Sequence, residues 1–180
     1  MEIWDGYYRD ETIASIDLTR GNPIPTGLYH LVCEVLVRHA DGDYLLMQRD
    51  RAKHTFPGYY EATAGGSALK GEDKLICIKR ELREETGIIS DNFKEIGHLI
   101  LDDHNCIIYT FLCITDCSKE SIALQQGETM SYKWVNEYEF IRFINSGEMI
   151  IPQRERYLNY FTEKGYIPQS VKAFLSSKAN

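Results

Sequence analysis

The hydrophobic pattern divides the chain into short strands and a few helices. Residues 31–37 (LVCEVLV) and 43–49 (DYLLMQR) are apolar, β-rich runs, and the HADG between them reads as a hairpin turn. Residues 56–66 (FPGYYEATAGG) carry turn residues at both ends and room for one short strand. At 73–86 the period changes. Leu75, Ile78 and Leu82 recur at i, i+3 and i+7, which predicts a helix with one apolar face. Asp73 suits the first turn by charge, and Gly87 supplies a C-terminal stop. Residues 93–102 and 106–116 read as two strands joined at Asp102-Asp103-His104-Asn105, and 130–135 as a last short strand. Residues 136–147 and 153–165 read as helices, each ending in glycine. Residues 1–27 are polar with turn signals (RGNPIPTG) and are expected to cover a core as an N-terminal extension rather than form one. This irregular alternation predicts an α/β fold with a mixed sheet, not a regular parallel array. We expect a single domain over 1–180, with C-terminal helices across 137–180.

The helix at 73–86 contains a conflict. Glu81, Glu84 and Glu85 share an arc of roughly 100° beside its apolar face. Like charges at these spacings repel, more strongly near a buried margin. One reading is a solvated acidic face balanced by Lys79, Arg80 and Arg83. The other is a divalent-cation site, because magnesium and manganese prefer carboxylate oxygens and would remove the repulsion.

The bulk numbers restrict the partners. A net charge of −7 argues against a broad basic surface for nucleic acid. A small polyanion stays compatible where metal ions offset the acidity locally. No apolar run is long enough for a membrane span, and the acidic N-terminus does not resemble a signal peptide. Five cysteines without framework spacing point to a reducing compartment, and we expect a cytoplasmic protein.

The wider spacing around the glutamates is specific. Gly66 is followed by five residues, Glu72, seven residues, Arg80-Glu81-Leu82, one residue, Glu84-Glu85, one residue and Gly87-Ile88. This fills the nine defined positions of the Nudix box, G-x5-E-x7-R-E-U-x-E-E-x-G-U, within 23 residues. The chain resembles a Nudix hydrolase over roughly residues 28–145. The resemblance implies an α/β/α sandwich with a mixed central sheet, in which the box forms a loop-helix-loop. It also implies cleavage of a nucleoside diphosphate derivative, or a related small organic diphosphate, by water attack at phosphorus. Metals would neutralise and orient the diphosphate and lower the pKa of a bound water. By the family pattern Glu81, Glu84 and Glu85 ligate Mg2+ or Mn2+, with the Gly66 carbonyl a further ligand. Glu72 and Arg80 would tie loop to helix, and Gly87 would take positive φ. The general base would be a box glutamate or one from a later loop, where Glu128 is the candidate. The sequence leaves the oligomeric state open, a homodimer included.

The segment before the box resembles the branch close to isopentenyl-diphosphate isomerase. That enzyme places a catalytic cysteine and a metal histidine where this chain has Gly65 and Ser67. His30 matches one isomerase metal histidine but lacks a partner; otherwise it is a strand-end histidine paired to backbone. Hydrolysis is therefore favoured over the two alternatives, an isomerase and a non-catalytic nucleotide-sensing module. The sensing module would be marked by lost box glutamates, and all are present. Arg49, Arg51 and Lys53 could receive phosphates, arginine forks being suited to them, or form a solvated loop. Phe56, Tyr59, Tyr60 and Trp134 could stack on a planar group or belong to the core. The cysteines are read as packing residues.

Overall fold

The computed structural model describes residues 1–170. The last ten residues, at the end of the expected 137–180 helical segment, lie outside the described residues. The long apolar run becomes β3 (His30–His39), which is the spine of the sheet. A turn carries the chain into β4 (Tyr44–Arg49), joined to β3 through Arg38 and Tyr44. Along β3, Leu31, Cys33, Val35 and Val37 face one side, and Leu36 faces the other, as a two-residue period requires. The sheet is mixed. β3 runs parallel to β8 (Cys106–Thr115), and β8 runs antiparallel to β7 (Phe93–Leu101). The far edge of β4 pairs with β9 (Thr129–Val135).

The segment expected to hold one strand holds two. β5 (Tyr60–Ala62) pairs with β4, and β6 (Ala64–Ser67) pairs with β3. Thr63 between them is buried at φ 66°, a rare conformation for a β-branched residue. Its hydroxyl accepts from the Val37 N–H at 3.0 Å and donates to the Leu45 carbonyl at 2.8 Å. Those two bonds hold the switch between strands, and no local pattern announces them.

Helices cover both faces. α1 (Lys74–Thr86) buries Cys77, Ile78 and Leu82 against Cys33, Val35, Leu45 and Phe111. Leu75, expected on the apolar face, is 44% exposed. The buried stripe runs instead through Cys77, Ile78, Glu81, Leu82 and Glu85, so two carboxylates occupy core-facing positions. α2 (Glu137–Asn145) starts from an Asn136–Glu139 capping box and packs Phe140, Phe143 and Ile144 on the opposite face.

The single helix expected over 153–165 is two, α3 (Ile151–Arg156) and α4 (Leu158–Glu163). The break at Tyr157 contains no glycine or proline. Tyr157 and Phe161 are both buried in the second core, and tertiary packing overrides the local helical period.

The N-terminal segment also departs from expectation. It forms a hairpin of β1 (Ile3–Tyr7) and β2 (Ile13–Thr19) with its own small core of Trp4, Leu18 and Leu28. Most β2 positions are exposed, so no alternation marked it as a strand. The hairpin joins the main body through reciprocal Tyr7–Tyr29 backbone bonds of 2.8 and 2.9 Å.

Candidate active site

The candidate site is built on the connection from β6 to α1. Asp73 caps α1 by accepting from the Leu75 and Ile76 N–H groups, both at 2.8 Å. It therefore acts through hydrogen bonds as well as charge. Gly87 closes the helix at φ 75° and donates its N–H to the Arg83 carbonyl. Arg80 ties loop to helix. Its Nε and Nη2 donate to Glu72 at 2.7 and 2.9 Å, and Nη2 also reaches the Ser67 carbonyl at 3.0 Å. Glu72 in turn accepts the Leu69 N–H at 2.8 Å. Burial works upward on the Glu72 pKa, but Arg80 and the Leu69 N–H outweigh it and hold the carboxyl below its ordinary value. The N-terminal hairpin braces the same loop. Lys70 donates its N–H to the Ile3 carbonyl, and Gly71 donates to Asp5.

The loop and helix line a cleft of about 490 Å3. Glu81, Glu84, Glu85 and Gly66 meet there with Lys53, Arg49, Arg80 and Glu128. The sequence placed these groups in three separate segments. The hairpin adds Trp4, Glu2 and Arg20 to the rim, which sequence reasoning missed because it treated residues 1–27 as a cover. Arg51 is the correction among the three basic candidates. It is exposed and does not line this cleft, because the turn closed by the Ala52 N–H on Asp50 leaves it outside. Lys53 is ion-paired with Glu128. Arg49 is held by Glu61 at 2.9 Å and by the Thr55 carbonyl at 3.1 Å.

Burial and like charges dominate the electrostatics. Glu85 is raised well above the ordinary carboxylate range by burial first, then by Glu61, Glu81 and Glu128. Burial also raises Glu81, with Arg80 opposing it. Glu61 is pushed up to about 7 by burial, despite Arg49. Glu61 was not singled out from the sequence, since one glutamate in a short strand carries no spacing signal.

Glu81 and Glu84 both rest on Arg80 Nη1, at 2.6 and 3.3 Å. Among the described residues no three His, Cys, Asp or Glu side chains form a ready-made metal cage. The donor set still fits a hard divalent cation. It is all oxygen, and its buried carboxylates repel one another until a cation intervenes. Magnesium commonly keeps waters and substrate phosphate oxygens, so a complete protein cage is not required. The Gly66 carbonyl accepts a weak bond from the Cys77 thiol at 3.7 Å.

The isomerase-like positions are accounted for. A Cβ at Gly65 would lie 2.6 Å from the Cys33 carbonyl oxygen, so a cysteine does not fit without moving backbone. The His30 ring pairs with the Ser67 hydroxyl at 3.2 Å, not with backbone, and stacks on Trp4 at 4.5 Å. Burial lowers its pKa to about 4, which keeps it neutral. Of the aromatic candidates, Phe56 lines a second cavity of about 430 Å3 between β3 and α3, while Trp134 packs on the first core.

A family model for the NUDIX domain matches residues 28–156. The chain belongs to the Nudix family. An uncharacterized Nudix hydrolase of Listeria monocytogenes is 30% identical over 156 residues, covering 83% of this chain and 89% of that protein. The crystal structure of DR0079 from Deinococcus radiodurans superposes with a TM-score of 0.65 at 16% identity, covering 81% of this chain and 90% of that one. The NUDIX domain of Shewanella oneidensis NrtR, solved with ADP ribose, superposes with a TM-score of 0.51 at 15% identity, covering 63% of this chain and 77% of that one. The protein is a Nudix hydrolase with the family's α/β/α arrangement. No described helix is long and apolar enough to cross a membrane.

The raised Glu61 pKa makes a stability prediction. The folded state holds the proton more tightly than the unfolded chain, so the stabilisation is full below the ordinary value of 4.5 and is lost as pH rises through about 7. The melting temperature of the metal-free protein should fall between about pH 5 and about pH 7.5, with Glu61 contributing on the order of 3 kcal/mol. Glu61→Gln should flatten that slope. An unchanged slope in the variant would show that Glu61 titrates normally.

Proposed function

We propose that this Nudix hydrolase cleaves the diphosphate linkage of a nucleoside diphosphate derivative, or of a related small organic diphosphate, with Mg2+ or Mn2+. The convergence of Glu81, Glu84, Glu85 and Glu128 with Lys53 and Arg49 in one cleft carries this reading. Glu81, Glu84, Glu85 and the Gly66 carbonyl would hold the metal. When bound, it supplies charge neutralisation, orientation of the diphosphate and acidification of a water. Lys53 and Arg49 line the same cleft and would receive phosphate oxygens. Glu128 is the candidate base for the attacking water, and Lys53 fixes its carboxylate. Phosphate loading would draw Lys53 toward the substrate and free Glu128 to accept a proton. The binding of ADP ribose by the Shewanella NUDIX domain is consistent with a nucleotide-derived substrate.

The test is phosphate release from a panel of nucleotide sugars, ADP-ribose, dinucleoside polyphosphates, NADH, nucleoside triphosphates and isoprenoid diphosphates, with a coupled phosphatase. Turnover should require Mg2+ or Mn2+ and disappear with a chelator. Glu128→Gln should lower kcat by about 100-fold with little change in KM, as expected for loss of a general base. Wild-type kcat in Glu128→Gln would assign the base elsewhere. Chelator-resistant turnover would overturn the metal reading.

A further inference from the structure

Between β6 and α1 the chain turns tightly over Leu69–Glu72, with Gly71 at φ 84°. Four backbone N–H groups of this turn find acceptors. Two are met inside it. The Glu72 N–H donates to the Leu69 carbonyl at 2.9 Å, and the Leu69 N–H donates to the Glu72 carboxylate at 2.8 Å. The other two are met by β1. The Lys70 N–H donates to the Ile3 carbonyl at 2.8 Å, and the Gly71 N–H donates to Asp5 Oδ2 at 2.7 Å. Leu69 also packs against the small core of Trp4, Leu18 and Leu28. Half of the turn's backbone bonding therefore comes from residues outside the 28–156 segment that the NUDIX domain matches.

The turn leads to the carboxylates by a short relay. Glu72, its last residue, takes Arg80 Nε at 2.7 Å and Nη2 at 2.9 Å. The remaining arm of that planar fork, Nη1, carries Glu81 at 2.6 Å and Glu84 at 3.3 Å. A rotation of the turn moves Glu72, turns the fork and shifts both carboxylates. The hairpin is a fixed base for this relay, since its other end is tied to the sheet. Arg9 holds Asp102 through Nε and Nη2, at 3.0 and 3.2 Å. Glu11 meets His98 at 3.1 Å and accepts from the Tyr109 hydroxyl.

We propose that Asp5 is a positioning residue for the metal site: by accepting the Gly71 N–H it sets the turn that orients Glu72, Arg80 and the glutamates of α1. The inference rests on the metal-dependent reading of the cleft and gives the N-terminal hairpin a part in it. Asp5 itself contacts neither metal nor substrate.

The experiment titrates the full chain with Mn2+ alone, reading free Mn2+ by electron paramagnetic resonance, in wild type, Asp5→Ala, Asp5→Asn and Asp17→Ala. Partners that orient metal ligands are commonly worth 10–100-fold in affinity, and one step further out Asp5→Ala should weaken Mn2+ binding at least about threefold. Asp5→Asn keeps an oxygen acceptor and should recover affinity to within about twofold of wild type. Asp17→Ala should stay within about twofold, because its partner is the exposed Lys70 ammonium and not the backbone of the turn. Turnover of Asp5→Ala should fall at limiting Mg2+ and recover at saturating Mg2+. A second measurement needs no variant. Binding and loop order are linked reciprocally, so Mn2+ or Mg2+ should slow deuterium exchange at the wild-type Gly71 amide at least about threefold.

Wild-type affinity in Asp5→Ala, an Asp5→Asn as weak as Asp5→Ala, or Gly71 exchange indifferent to metal would each overturn the inference while leaving hydrolysis standing. A wild type that binds no Mn2+ would defeat the metal reading and the inference together. Metal binding without cleavage of any diphosphate would defeat the hydrolase reading alone, and the Mn2+ affinities would still decide the role of Asp5.

Discussion

Glu85→Gln is expected to lower kcat by at least about 100-fold while the protein stays folded. Glu85 lies on the buried side of α1, among Glu61, Glu81 and Glu128, which together with burial raise its pKa. Glutamine keeps the shape but cannot supply the negative charge that a divalent cation needs. Burial also sets the sign of the stability change. The charged carboxylate is costly in the folded state, so the metal-free variant at neutral pH should melt no lower than wild type. Metal should raise the wild-type melting temperature more than that of Glu85→Gln, because only a ligand that binds the folded state stabilises it. The measurements are steady-state turnover and melting curves with and without Mg2+. Near-native turnover would remove Glu85 from the ligand set. A large fall in metal-free melting temperature would mean that the residue is structural.

Gly66→Ala is also expected to be damaging, although it removes no charge. A Cβ at Gly66 would lie 2.6 Å from the Glu81 carboxyl carbon and 2.8 Å from Oε2, distances that van der Waals radii forbid. The Glu81 carboxylate must then move, and with it the group held by Arg80 Nη1 at 2.6 Å. Gly66 has no positive φ among the residues of the chain that do, so the requirement for glycine is close approach and not backbone conformation. We expect a loss of at least about tenfold in kcat/KM, with metal affinity falling alongside it. Glu81→Gln measured in parallel is the control. In a Gly66→Ala/Glu81→Gln double variant the two losses should not add, because both act through one carboxylate. Additive losses would separate Gly66 from Glu81.

Much of the frame was legible. β3, β4, β7, β8 and the box helix follow from apolar period and turn chemistry, which act over a few residues and so leave a local trace. What was hidden depended on contacts distant in sequence. Thr63 splits an expected strand because its hydroxyl bridges Val37 and Leu45. β1 and β2 were missed because only Trp4 and Leu18 of their apolar residues are buried, in a separate small core with Leu28. The break at Tyr157 was missed because residues 153–165 keep a helical period through it.

The sequence by itself determined the family and the residues of its box. Nine residues in 23 specify a loop, a helix and four carboxylates, and their spacing is a property of one short segment. Only the tertiary structure decided that Glu81 and Glu85 face the core while Leu75 does not. It alone brought Lys53 and Glu128 together across 75 positions, and Arg156 onto Glu34 across 122. Helical spacing is set by the backbone and can be read locally. Ion pairs between distant segments depend on how sheet and helices pack, and no neighbour in the chain records that.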